Sequence, residues 1–388
     1  MQLPRTKTVV AILALGLALA PAAHAGIIVY EDEESGQKVE IGGRIHIQYH
    51  LEDPDGGDST DELFFRRVRP EFNASINEDW DSRVQLEVGE AEDDNELSLR
   101  DVYVVYKGWE GVTLTMGNQK PPASREFLTS SNEQQLVERT FVGDHNYGDL
   151  DRVLAAQLKG KPADGKLQWA VAAGSASIDP DASRLDFDTP VNRNSDFNEG
   201  WVLAAGLDFF PMGEVKFSQG DLERGDTRVG FRIYGSTWSN DGDNDTYTED
   251  GVSIDEGKVD IDSVTGFGGG IALRSHGLSV DAEYRQADAD TVPGDFTGGL
   301  YRFGETTLDA YALEGGYAFS ERFEIVAGYS SLDADNYEDS WNATSVGFNT
   351  FFEQHKAKLQ LTYQMGENVD GISGVDADDL FLQLQYAF

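Results

Sequence analysis

From Lys38 to Leu51 the chain alternates without a break: Val39, Ile41, Ile45, Ile47, Tyr49 and Leu51 share one face, and Glu40, Arg44, His46, Gln48 and His50 the other. A period of two defines a strand with one apolar and one wet face. The pattern returns at 64–76, 80–90, 99–107, 112–119, 153–159, 166–174, 201–210, 228–238, 263–274, 278–286, 306–319, 322–331, 341–352, 356–365 and 380–388, sixteen strands in all. Short connections such as Asn77-Glu78-Asp79, Ser275-His276-Gly277 and Ser320-Glu321 interleave with long acidic ones such as 52–62, 175–199, 239–262 and 366–379. An even strand number with one short-turn end and one long-loop end predicts a transmembrane antiparallel β-barrel. Residues 211–227 interrupt the rule, as a long turn at the short-turn end or as an extra hairpin at 215–218.

The competing fold is a soluble sandwich or β-helix, whose strands also alternate. Against it stand the number of apolar faces and the aromatic residues at strand ends (Trp80, Trp109, Trp169, Trp201, Phe210, Trp238, Phe319, Trp341), where interfacial girdles lie. The last strand closes on Phe388, the kind of ending by which barrel-assembly machinery takes up outer-membrane proteins. Residues 1–25 read as a secretory leader: Arg5 and Lys7, an apolar run from Val9 to Ala20, then Ala23-His24-Ala25 at the cleavage position. No linker divides residues 26–388, which are expected to form one barrel domain in the bacterial outer membrane.

Composition narrows the chemistry. The chain has no cysteine among its 388 residues, which excludes disulfide scaffolds, thiolate metal sites and cysteine nucleophiles. Its 70 acidic and 30 basic side chains give a formal charge of -40, a field that repels nucleic acid. Asp241, Asp243 and Asp245 have the spacing of a calcium loop, but Thr246 and Val252 replace its glycine and glutamate. The glycines at 266, 268, 269 and 270 open no helix and suit close packing within a strand instead. No nucleophile elbow, metal spacing or cofactor motif appears, so neither an enzyme nor a cofactor is expected.

In a sixteen-strand barrel, transport depends on what narrows the lumen. The segment from Lys120 to Asp151 follows the fifth strand and is too long for a turn. It is expected to fold inward over about 120–150, with a short helix over 131–140 capped by Ser131 or Asn132. The runs Leu99-Arg100-Asp101-Val102-Tyr103-Val104 and Gly117-Asn118-Gln119-Lys120-Pro121-Pro122, then Glu126, Ser130-Ser131 and Glu138-Arg139, with Phe65-Arg66-Arg67-Val68-Arg69 upstream, resemble the phosphate-selective porin O/P family over about residues 40–150.

The resemblance implies a homotrimeric channel for passive diffusion of small inorganic ions, phosphate or other anions among them, with outer-membrane lipid and lipopolysaccharide around it. It places Lys120, Arg125 and Arg139, with Glu126 and Glu138, in the constriction, and Arg44, Arg67, Arg69 and Arg83 on the lumen wall. Period two then turns Arg66 toward lipid. These arginines could also simply pair with Glu71, Glu87 and Glu126. The acidic loops, six acids and no base over 52–62, favour a second outcome, a general or cation-preferring porin. A surface adhesin or barrel enzyme is a third.

Overall fold

The computed structural model describes residues 26–89, 97–162, 165–181, 183–189, 198–240, 248–249, 252–253, 260–292, 297–302 and 304–388. The expected leader and the aspartates at 241, 243 and 245 lie outside them. Sixteen strands, numbered here along the wall, form the barrel: β1 Gln37–Pro54, β2 Thr60–Asn77, β3 Trp80–Glu87, β4 Ser98–Trp109, β5 Val112–Gln119, β6 Val153–Gly160, β7 Leu167–Asp181, β8 Asn198–Phe209, β9 Arg228–Asn240, β10 Asp260–Ser275, β11 Leu278–Val292, β12 Glu305–Ser320, β13 Phe323–Ala334, β14 Trp341–Glu353, β15 Ala357–Glu367 and β16 Ala377–Ala387. Each pairs antiparallel with the next, and β16 returns to β1 with Tyr386 opposite Ile45 and Gln383 opposite Gln48. Closure leaves no barrel strand with an open edge, the condition for a sheet to exist in hydrocarbon.

The wall is inside out relative to a soluble protein. Leu203, Ile233 and Ile325 are exposed by more than half on the outer face, whereas Gln360, Gln383 and Asn349 are buried in the interior. Lipid replaces water outside, so apolar side chains face outward and polar groups find partners within. The turn between β10 and β11 is tight because His276 and Gly277 both take positive φ, 53° and 98°, as two-residue hairpin loops require. On β10, a Cβ at Gly268 would meet the Tyr234 ring at 2.4 Å; of the four clustered glycines, this one makes room for an aromatic ring across the strand pair.

The aromatic girdle is only partly as expected. Trp109, Trp201 and Phe319 stand on the outer face. Trp238 and Phe210 are buried instead: Trp238 donates its Nε1–H to the Ala176 carbonyl (3.0 Å) and packs on Phe187. Trp341 turns onto Phe141, ring centroids 4.8 Å apart. Trp238 and Trp341 belong to an apolar core that fills the β7–β14 side of the interior toward the long loops, built on Ile178, Leu185, Phe187, Leu308 and Leu332 and joined by Phe141, Val142 and Leu150 from the chain between β5 and β6, whereas Phe210 packs with Val215 and Ala272. A tryptophan at a strand end reads the same in sequence whether it meets lipid or such a core.

Candidate functional site

Between β5 and β6 the chain runs inward. Pro121 and Pro122 have no N–H to offer a sheet, and Ser124 then caps a single helical turn, Arg125–Leu128, by accepting from the Phe127 N–H (3.0 Å). Ser130 caps a 3-10 turn, Ser131–Glu133. The helix expected over 131–140 does not form, because the wall takes the backbone groups that a helix would use. Lys358 donates to the Gln134 carbonyl (2.6 Å), Asn349 and Gln360 donate to that of Gln135 (2.9 and 3.1 Å), and the Val137 N–H donates to Thr362 (3.3 Å). A buried backbone must be satisfied by some partner, and here the partners are lumen side chains.

The far face of this loop is tied to β11. The backbone N–H groups of Arg125 and Glu126 donate to the Glu283 carboxylate (2.6 and 3.2 Å), and the Arg125 guanidinium pairs with Asp281 (3.1 Å). Glu126 accepts from the Thr140 N–H (2.9 Å), and burial pushes its carboxyl up to about 7. Arg125 and Glu126, expected at the opening, are thus turned away from it: a short helical turn cannot aim consecutive side chains and its own N-terminus at both walls. No strand forms over 215–218. Residues 210–227 fold inward from the short-turn end and brace the loop, with Gln219 donating from its N–H to the Glu133 carbonyl (2.9 Å) and accepting from the Gln135 N–H (2.7 Å).

The near face lines a cavity of about 500 Å³ into which nine basic side chains converge: Arg44, Arg66, Arg67, Arg69, Arg83, Arg100, Lys120, Arg139 and Arg152. Arg44 donates to Ser130 and Ser131 (3.1 and 3.0 Å), locking β1 to the loop. Arg83 pairs with Glu71 (2.6 Å), Arg69 with Glu87, and Arg152 with Asp101 (2.7 Å) and Asp151 (3.3 Å). Lys120 donates to the Phe127 carbonyl and lies over the Phe127 ring, Nζ 4.6 Å from its centroid. Glu138 accepts from Arg66 (3.1 Å) and Gln48 (3.0 Å); burial would raise its carboxyl, but Arg66 and Arg67 outweigh that and hold it down to about 2. Burial, reinforced by Arg139 and Arg152, pushes the Lys120 ammonium well below its ordinary range. An anion bound beside Lys120 would offset both that burial and its cationic neighbours.

The family of phosphate-selective porins O and P matches residues 39–388. This chain belongs to that family. The porin is also 24% identical over 337 residues to an uncharacterized protein of Aquifex aeolicus (strain VF5), covering 77% of this chain and 74% of the relative. Among solved structures its fold is shared by the outer membrane channel DcaP of Acinetobacter baumannii (13% identity, TM-score 0.60, 93% of this chain and 100% of that one). OmpF of Salmonella typhi, in complex with daunomycin, is alike to the same degree (12%, 0.60, 93% and 100%). An anion-selective porin from Comamonas acidovorans follows (10%, 0.59, 91% and 100%). The protein is an outer-membrane channel for small solutes, built as a sixteen-strand antiparallel barrel.

Period two misplaces Arg66 of the porin, and a second bulge brings in Arg100. The β1–β2 register pairs His46 with Arg67 and Ile47 with Phe65, so Arg66 is an extra residue in a β-bulge. Instead of facing lipid it turns into the lumen and reaches Glu138. A second bulge lies on β4, where Val84 pairs with Val102 and Leu86 with Leu99, leaving Arg100 and Asp101 together opposite Gln85; both line the cavity. The sign of each bulge was present in the sequence as two adjacent charged residues inside an alternating run. Arg152, beside Asp151 just before β6, was legible only as a charge pair at a strand start. His145 also lines the cavity and holds Asp186 (2.6 Å); burial would lower its imidazole, but Asp186 and Asp151 raise it to about 10.

Proposed function

We propose that this channel selects anions, phosphate among them, at an eyelet between the loop and the β1–β4 wall. Lys120, Arg139 and Glu138 form the loop side, and Arg44, Arg67, Arg69 and Arg83, joined by Arg66, Arg100 and Arg152, form the wall. The observation that carries this reading is the convergence of nine lysine and arginine side chains, with His145, on one cavity lined by the carboxylates of Asp101, Glu138, Asp144 and Asp151, with Glu71 and Glu87 paired to Arg83 and Arg69 behind it. Such a ring replaces part of an anion's hydration with charge-assisted hydrogen bonds and lowers its barrier to entry. The acidic stretch at 52–62 is exposed to bulk solvent, where salt screens it over about 10 Å at 0.1 M; the eyelet charges are enclosed and screened less.

Residues 1–25 are read as a cleaved leader, and residues 26–388 as one barrel domain with its constriction at about 120–150. The working assembly is a homotrimer in outer-membrane lipid and lipopolysaccharide; OmpT of Vibrio cholerae, which has the same fold at 14% identity, has a trimer form. The barrel conducts and does not catalyse.

Single-channel reversal potential of the refolded protein under a potassium chloride gradient, repeated with phosphate, tests the reading. The expected result is anion preference with block of the chloride current by phosphate. Cation preference would assign selectivity to the acidic loops instead.

A further inference from the structure

Below Lys120 the lumen has a second chamber of different character. A cavity of about 750 Å³ opens toward the short-turn end and abuts the cationic one at Asp101, Lys120 and Leu128. Its lining includes Lys159, which has no ion pair or hydrogen-bond partner from its side chain among the described residues. It also includes the apolar Pro121, Pro122, Leu128 and Phe217.

Phe217 belongs to the inward-folded turn and is held in place. The guanidinium groups of Arg125 and Arg232 sit 5.3 and 5.2 Å from its ring centroid. Arg232 is itself fixed by Asp208 (2.6 Å) and by the Ala123 carbonyl (2.9 Å). A hydrated inorganic ion gains nothing from an apolar wall, since it keeps its water on that side. A solute with an apolar body gains by displacing water from the same surface.

We propose that this chamber is a transit site for organic anions, a phosphate or carboxylate head held between Lys120 and Lys159 while a compact aromatic or aliphatic body rests on Pro121, Pro122, Leu128 and Phe217. This inference rests on the anion-selective reading of the channel and names the class of solute that its lower chamber adds.

The test compares head groups with and without a ring: phenylphosphate against inorganic phosphate, and benzoate against acetate, each titrated as a blocker of chloride current through the intact channel. The ring-bearing member of each pair should half-block at about one tenth of the concentration, the factor expected from removing roughly 55 Å² of apolar surface from water. Phe217→Ala should narrow that gap and leave the block by inorganic phosphate unchanged; Leu128→Ala, in the loop rather than in the turn that braces it, should also narrow the gap. Equal block by both members of each pair in the unaltered protein would overturn the inference and leave anion selectivity standing. No block by any of the four, with a cationic reversal potential, would overturn both.

Discussion

The two faces of the inward loop meet the barrel in opposite ways. Toward β1–β4 the loop presents Lys120, Glu138 and Arg139 to a wall of arginines, and a cavity remains between them. Toward β11–β16 it is stitched down by amides and carboxylates: Gln135 to Ser279 and Glu324 (2.8 and 2.7 Å), Asn349 and Lys358 to loop carbonyls, Gln385 to the Asn132 carbonyl (3.0 Å). Both faces are polar, and the arginine face is the one that lines the cavity of about 500 Å³. Donors and acceptors that match, amides with carboxylates and Lys358 with a carbonyl, can satisfy one another at contact distance and close a gap, whereas many like charges cannot approach further without counter-ions. On the proposed reading, the charges that keep the arginine side open are also the ones that select anions.

That contrast can be broken from either side. The largest effect is expected on the open face: Lys120→Glu combined with Arg139→Glu should move the reversal potential toward the cation limit, by tens of millivolts under a tenfold salt gradient. An unchanged potential would show that these two side chains do not set selectivity. On the sealed face, Lys358→Met removes the donor to the Gln134 carbonyl and should cost about 2 kcal/mol of stability, the scale of a hydrogen bond from a charged group. Urea unfolding of the lipid-reconstituted barrel measures that cost. The same variant should conduct with more current noise at unaltered selectivity, and a selectivity change as large as that of the open-face pair would erase the distinction between the faces.

The smallest effect sharpens the comparison by pH. Because burial and neighbouring cations depress the Lys120 ammonium, it loses its proton at lower pH than a free lysine, so anion preference should decline with rising pH before a free lysine would titrate. Lys120→Arg, which stays charged, should flatten that decline in the same reversal-potential measurement.

Much of this protein is written locally. Strict alternation from Lys38 to Leu51, and its recurrence with short and long connections in turn, determined sixteen strands, a barrel and its polarity, because a period of two can bury only one face and an even number of antiparallel strands can close. The length of the segment after Gln119 marked it as more than a turn, and the basic residues at 44, 67, 69, 83, 120 and 139 all reach the cavity. What the sequence left undecided depends on partners distant along the chain.

The backbone of residues 134–137 prefers wall side chains more than 200 positions away to a helix of its own. Arg125 finds Asp281 rather than the pore. Residues 210–227 fold under the loop instead of forming a hairpin, since Gln219 has Glu133 and Gln135 to meet there. Arg66 and Arg100 enter the lumen through bulges whose cross-strand register is fixed only when the sheet assembles. Periodicity assigns a side chain to a face. Which group satisfies it on that face, and whether the space beyond stays open, is decided by burial and hydrogen bonding across the closed barrel.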